Sequence, residues 1–201
     1  ALYCAAKEGH AVVVRVLVEA GARLEAPSPK GNTALLTATD NGHADCVQAL
    51  LQSGANVHAK NNNQGFTALI MAAQNGHADC IEALLKRGAN VHSQANEGQT
   101  ALTMAAQDGH TDCCRLLLRA GADLAVKTHK GNTALMNAER EGHAETAALL
   151  RDPPTPVMGP EPDSGIAEGV PSGGAAGAAA SAGCSVAEQH AFLELAKKFQ
   201  W

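Results

Sequence analysis

Histidine, cysteine and carboxylate recur together along this chain, and those side chains could do chemistry. His43 and Cys46, His77 and Cys80, and His110 and Cys113 stand three residues apart. On a helix that spacing puts both side chains on one face, and imidazole with thiolate is a ligand set that zinc accepts. Each pair offers only two ligands. The histidines themselves recur as Gly9-His10, Gly42-His43, Gly76-His77, Gly109-His110 and Gly142-His143, at steps of 33, 34, 33 and 33 residues. Stacked helices lie about 8–10 Å apart, whereas zinc holds its ligands at about 2 Å. Histidines from successive units therefore cannot share an ion, and neither a metal nor another cofactor is expected.

Nucleophilic chemistry fares no better. A catalytic cysteine needs a base, a group that orients the base, and donors for an oxyanion, all in one cleft. Asp45, Asp79, Asp112 and Glu145 follow the Gly-His histidines by two residues and read instead as carboxylates at helix starts, where the dipole favours them. Cys46, Cys80 and Cys113 occupy equivalent positions, and a disulfide needs Cα atoms about 4.4–6.8 Å apart, which neighbouring layers do not supply. They read as small buried hydrophobes. Cys113 and Cys114 are adjacent, so one of them, Cys114 for instance, is expected to point outward. Gly173-Gly174-Ala175-Ala176-Gly177 follows no strand and does not read as a phosphate loop.

The elements that position these residues follow from the period. Gly-Ala keeps the same beat at Gly21, Gly54, Gly88 and Gly121, and Gly-x-Thr-Ala-Leu at Gly31, Gly65, Gly98 and Gly131. Self-similarity at a fixed period marks a stacked repeat array. In the unit starting at Gly65, glycine supplies a turn and Thr67 caps a short helix over Ala68–Gln74. Leu69, Ala72 and Ala73 fall on one face of that helix. Asn75-Gly76 breaks it, Asp79 opens a second helix with Cys80, Ile81, Leu84 and Leu85 as its apolar stripe, and Gly88 ends that helix in the left-handed conformation. Asn90 to Glu97 then projects as an extended hairpin.

This pattern resembles the ankyrin repeat family, whose units read Gly-x-Thr-Pro-Leu-His-x-Ala-Ala-x-x-Gly-His, then a Leu-Leu helix, then Gly-Ala. The resemblance covers residues 1 to 151 and rests on several motifs in phase. It implies an all-α repeat solenoid of stacked helix-turn-helix units with projecting β-hairpin loops. The partial first repeat is 1-26, full repeats run over about 27-59, 60-93 and 94-126, and 127-151 is a C-terminal capping repeat. Two departures are consistent: the family's Pro is Ala34, Ala68, Ala101 and Ala134, and its His is Leu36, Ile70, Thr103 and Met136. The family's Thr–His hydrogen bond is therefore expected to be absent.

The two ends of the array differ. The first repeat's second helix carries Val12, Val13, Val14, Val16 and Val18, too apolar for an outer cap, and the chain starts with Ala, so a fragment with earlier repeats is expected. In the last repeat Glu139, Arg140, Glu141, Glu145 and Thr146 make the outer positions polar, as a solvent-facing terminal repeat needs. Residues 152-184 are Pro/Gly/Ala-rich and read as a disordered linker. Ser185-x-x-Glu188 is a capping-box pattern for a helix over 185-201, with Phe192, Leu195, Ala196 and Phe199 on one face. That helix reads as the start of a truncated domain, another repeat-like unit, or a docking peptide.

Net charge is -5 and only 2 % of residues are aromatic. Residues 1 to 151 carry 13 basic and 14 acidic side chains, which leaves no electrostatic footprint for nucleic acid or an anionic membrane. No apolar run reaches the roughly 20 residues of a membrane span. Six cysteines without paired short spacing favour a reducing compartment, cytoplasmic or nuclear. The expected partner is a protein, with no obligate homo-oligomer. In the family, partners commonly lie on the concave face. By position this implicates Asp40, Asn41, Gln74, Asn75, Gln107 and Asp108 before each Gly-His. It also implicates Asn32, Phe66, Gln99 and Asn132 between Gly and Thr, and Lys60 and Asn62 at the tips. Phe66 stands where the other repeats have Asn or Gln, in a hairpin one residue longer than its neighbours, and reads as an exposed hot spot. The resemblance implies a non-catalytic adaptor or scaffold; the alternative is the recruiting arm of a larger enzyme.

Overall fold

The computed structural model describes residues 1–28 and 31–153. Ten helices form among them, in pairs. The inner helices are α1 (Leu2–Lys7), α3 (Ala34–Asp40), α5 (Ala68–Gln74), α7 (Ala101–Gln107) and α9 (Ala134–Arg140). The outer helices are α2 (Ala11–Glu19), α4 (Ala44–Gln52), α6 (Ala78–Lys86), α8 (Thr111–Arg119) and α10 (Ala144–Arg151). Each inner helix packs on the next inner one, each outer helix on the next outer one, and the two members of each pair on each other. The result is a two-layer stack, an all-α solenoid.

Local chemistry explains where the inner helices start. Thr33, Thr67, Thr100 and Thr133 are their N-caps, each with its hydroxyl accepting the N–H three residues on, at 3.3, 3.4, 3.3 and 3.3 Å. Such a cap satisfies a backbone donor that would otherwise go unpaired. The loss of the family's histidine is partly made good at one position. The Thr100 N–H donates to Thr103 Oγ1 at 2.8 Å, closing a capping box. Leu36 and Ile70, at the same position in other repeats, are fully buried and contribute packing instead.

The core is a column of small and aliphatic side chains: Ala38, Ala72, Ala105 and Ala138 from the inner helices, and Leu50, Leu84, Leu117 and Leu150 from the outer ones. Alanine at the inner positions lets neighbouring helices approach closely, and so few aromatics suffice because every layer is thin.

The projecting loops contain no strand among the described residues. One isolated antiparallel bridge joins Lys60 and Thr67. Each loop is closed by a backbone bond instead: Ser28 N to Asn32 O, Asn61 N to Phe66 O, Ala95 N to Gln99 O and Thr128 N to Asn132 O. The second of these spans one more residue than the others, as the longer hairpin requires. Further backbone bonds run from tip to tip, Asn96 N to Gln64 O and His129 N to Glu97 O, so the tips are paired between repeats as well as within them. Beyond Asp152 and Pro153, the linker over 152-184 lies outside the described residues, and so does the helix expected over 185-201.

Candidate functional site

The Gly-His histidines stand at the N-cap of each outer helix, yet their side chains do not cap it. They reach back to the preceding repeat. His43 Nε2 lies 2.9 Å from Lys7 O, His77 Nε2 3.2 Å from Asp40 O, His110 Nε2 2.9 Å from Gln74 O and His143 Nε2 3.0 Å from Gln107 O. These carbonyls belong to the last turns of the inner helices, where acceptors are left over. Each imidazole ring covers the glycine of the preceding Gly-His. At Gly42, with φ of 75°, a β-carbon would sit 2.7 Å from the His77 ring. Glycine is therefore required twice there, for its left-handed backbone and for the close approach of the ring. The stitch to the previous repeat is not visible in residue types alone; its one signal in the sequence is the strict in-phase pairing of Gly with His.

A second ladder joins the loop tips. The Asn62 side chain covers Gly31, where a β-carbon would meet its Nδ2 at 2.6 Å, and the Asn96 side chain covers Gly65 in the same way. Asn96 Nδ2 also donates to Asn63 O at 3.3 Å. Lys60 Nζ donates to Gln94 O at 2.9 Å. Two of the expected binding residues, Lys60 and Asn62, thus hold adjacent loops together.

Several others are likewise engaged. Asn75 Nδ2 donates to Asp40 O at 3.1 Å and to Asp40 Oδ1 at 3.0 Å. Asn41 Nδ2 folds onto Thr37 O at 2.8 Å. Asn32 and Asn132 are half-buried, with their carbonyls closing the loops. Gln99 Nε2 donates to Glu97 Oε2 at 3.2 Å. Gln74 and Gln107 are half-buried, and their backbone carbonyls take the histidine stitches. Asp108, beside Gln107, is exposed. The inner-helix ends of the third and fourth repeats therefore set Gln74, Gln107 and Asp108 in a row.

Phe66 corrects the sequence reading. It is only 3 % exposed, and Asn61 wraps around it: Asn61 Oδ1 accepts the Phe66 N–H at 2.9 Å and the Gln64 N–H at 3.2 Å. The ring is a core anchor for the longer loop, so the surface hot spot is withdrawn. A single aromatic among polar neighbours in sequence cannot show which way it points.

The cysteines need a second correction. Cys113 and Cys114 are both buried, so neither turns outward. Burial pushes the Cys114 thiol up to about 12, helped by neighbouring Cys113. Burial and then the Asp79 carboxylate push Cys80 up to about 12, burial and then Asp112 push Cys113 up to about 11, and Cys46 is raised for the same kind of reason. Thiols held neutral this strongly are poor nucleophiles and poor ligands. Both fit because the buried face of α8 is wide enough to take neighbouring positions, Cys113 and Cys114 together with Leu117 and Leu118, while Asp112 and Arg119 stay exposed. No group of three or more His, Cys, Asp or Glu able to hold a metal occurs among the described residues. None of their helices is long and apolar enough to cross a membrane.

No curated protein matches the chain. The family model for ankyrin repeats (3 copies) matches residues 2–95 and 69–157. Those two matches together cover most of the sequence, and the paired helices, threonine caps and in-phase glycines follow the same register, so the chain belongs to the ankyrin repeat family.

Proposed function

We propose that this chain is a non-catalytic protein-binding module, an adaptor or scaffold, that receives its partner along the ends of the inner helices. Ankyrin repeats are generally protein–protein interaction modules. The observation that supports this surface is the histidine ladder. Each stitch fixes the backbone of the residue two before the glycine, at Lys7 and Asp40, which are exposed, and at Gln74 and Gln107, which are half-buried. Gln74, Gln107 and Asp108 are thereby displayed on a rigid frame, which lowers the ordering cost of association. Their amides and one carboxylate suit a partner offering hydrogen-bond donors and modest apolar contact rather than a highly charged surface. The buried, neutral thiols suit a reducing compartment, cytoplasm or nucleus.

The test is a binding selection from a displayed peptide and protein library on the immobilised chain. The selected binders are then titrated against Gln107→Ala/Asp108→Ala and against the outer-helix control Gln48→Ala/Glu82→Ala. Loss of about tenfold or more in affinity, some 1.4 kcal/mol, is expected for the first variant only. Equal loss in both, or loss only in the control, would place the binding face elsewhere.

A further inference from the structure

Four carboxylates stand at the C-terminal ends of the inner helices. Glu8, Asp108 and Glu141 are the C-cap residues of α1, α7 and α9, and Asp40 is the last residue of α3. A helix end that leaves carbonyls over is an unfavourable place for a negative charge. Three of the four are compensated. Lys7 Nζ lies 3.5 Å from Glu8 Oε1, Arg140 Nη2 lies 3.0 Å from Glu141 Oε1, and Asn75 Nδ2 donates to Asp40 Oδ1 at 3.0 Å. Asp108 is the exception. The last turn of α7 holds no basic residue, and among the described residues no cation pairs with Asp108.

The repeat period says what kind of group would complete this position. Asn75 in the third repeat bonds Asp40 in the second across their boundary. One repeat on, Asp108 takes the place of Asn75 and Gln74 that of Asp40, so a donor facing a carboxylate is exchanged for a carboxylate facing an amide. Asp108 is exposed, and Gln74 and Gln107 beside it are half-buried. The backbone carbonyls of both glutamines are held by His110 and His143, whereas among the described residues no hydrogen bond engages their side chains. Three side chains that can all accept, one of them charged, thus stand in a row on a backbone fixed by two stitches.

Resting on the binding face proposed above, we infer that Asp108 receives one basic side chain, a lysine or arginine, from the partner protein, and that this contact selects the partner. An ammonium or guanidinium carries several donors and no acceptor. It pairs with the carboxylate and gives its remaining N–H groups to the side-chain carbonyls of Gln74 and Gln107. Such a charge-assisted bond is about twice as strong as a neutral one. One cation suffices, because the carboxylates at the other three helix ends are already engaged. An acidic side chain at the same place is repelled, so the contact discriminates by charge. The unpaired carboxylate costs the free chain stability at the end of α7 and is compensated when the cation arrives, the usual trade of stability for binding.

The experiment selects binders from a random-peptide library on the immobilised 201-residue chain and reads them by a double-mutant cycle. Most selected peptides are expected to hold a lysine or arginine at one shared position. Asp108→Asn, which keeps the shape and removes the charge, should weaken their binding about tenfold. Changing the shared basic residue of the peptide to methionine should weaken binding to the native chain by as much, and binding to the Asp108→Asn chain hardly at all. The Asp108→Asn chain should also melt at the same temperature as the native chain or higher, because an unfavourable charge on α7 is gone. Peptides with no shared basic position, or two losses that simply add, would overturn the inference; if Gln107→Ala still weakens those peptides, the binding face itself stands. Peptides indifferent to Gln107→Ala and Asp108→Asn alike, or a selection that returns none, would overturn the face and the inference together. A lower melting temperature for Asp108→Asn would show that Asp108 serves the fold, which also overturns the inference.

Discussion

At the scale of single residues, the structure separates side chains that look alike in sequence by what surrounds them. Phe66 is enclosed, so Phe66→Ala should act on stability before it acts on binding. Removing a buried phenyl ring costs about 3–5 kcal/mol, and chemical denaturation should show a fall of that order; a loss under about 1 kcal/mol would mean that the ring is not core. The cysteines make a separate prediction with a definite sign. Burial raises the Cys80 and Cys114 thiols from the ordinary 9.0 to about 12. Between those values the unfolded chain releases a proton that the folded chain keeps. Their stabilising contribution is therefore complete below pH 9 and is lost as pH climbs towards 12. Cys80→Ala/Cys114→Ala should flatten the alkaline fall in stability, measured by urea melts from pH 8 upward. An identical fall in the variant would remove the thiols as its cause. At pH 8, peptide mapping after brief alkylation of the folded chain should find label on exposed Cys4 well before any of the four core cysteines.

At the scale of elements, the glycines distinguish conformational need from space. Gly76 and Gly88 both have positive φ, 76° and 80°, but only Gly76 lies under a ring, 2.7 Å from His110 for an added β-carbon, while Gly88 has open space. Gly88→Ala should cost about 1–2 kcal/mol from backbone strain alone. Gly76→Ala should cost clearly more, because the His110 stitch to Gln74 O must also give way; equal costs in thermal melts would mean that the stitch contributes nothing. This is also where sequence legibility changes. Periodic Gly, Thr and Leu fixed the helices, their caps and the stack, because those depend on neighbours a few residues away. The two ladders depend on contacts between positions 33 to 37 residues apart, such as His77 with Asp40 or Asn96 with Asn63. Residue type alone cannot show such contacts. For the same reason Lys60 and Asn62 read as free surface until their partners were in view.

At the scale of the whole molecule, each repeat meets only its neighbours, so stability is a sum of unit and interface contributions. The interfaces are not equal. The middle ones carry both ladders, the Asn75–Asp40 bond and fully buried Leu69, Ile70 and Leu102. The ends leave Val12 and Met136 partly open. Native-state hydrogen exchange should therefore find the slowest amides in α5 and α7 and progressively faster ones towards α1 and α10. Weakening a central interface is the sharper test, because in a linear array it uncouples the two halves instead of lowering everything together. His77→Ala/Asn75→Ala removes every side-chain hydrogen bond that these two residues make from the third repeat to the second. It should broaden or split the single denaturation transition, with the α5–α10 segment melting apart from α1–α4. A transition that moves to lower denaturant while staying equally steep would show that the apolar core between α3 and α5 carries the coupling by itself, and that the ladder sets register rather than cooperativity.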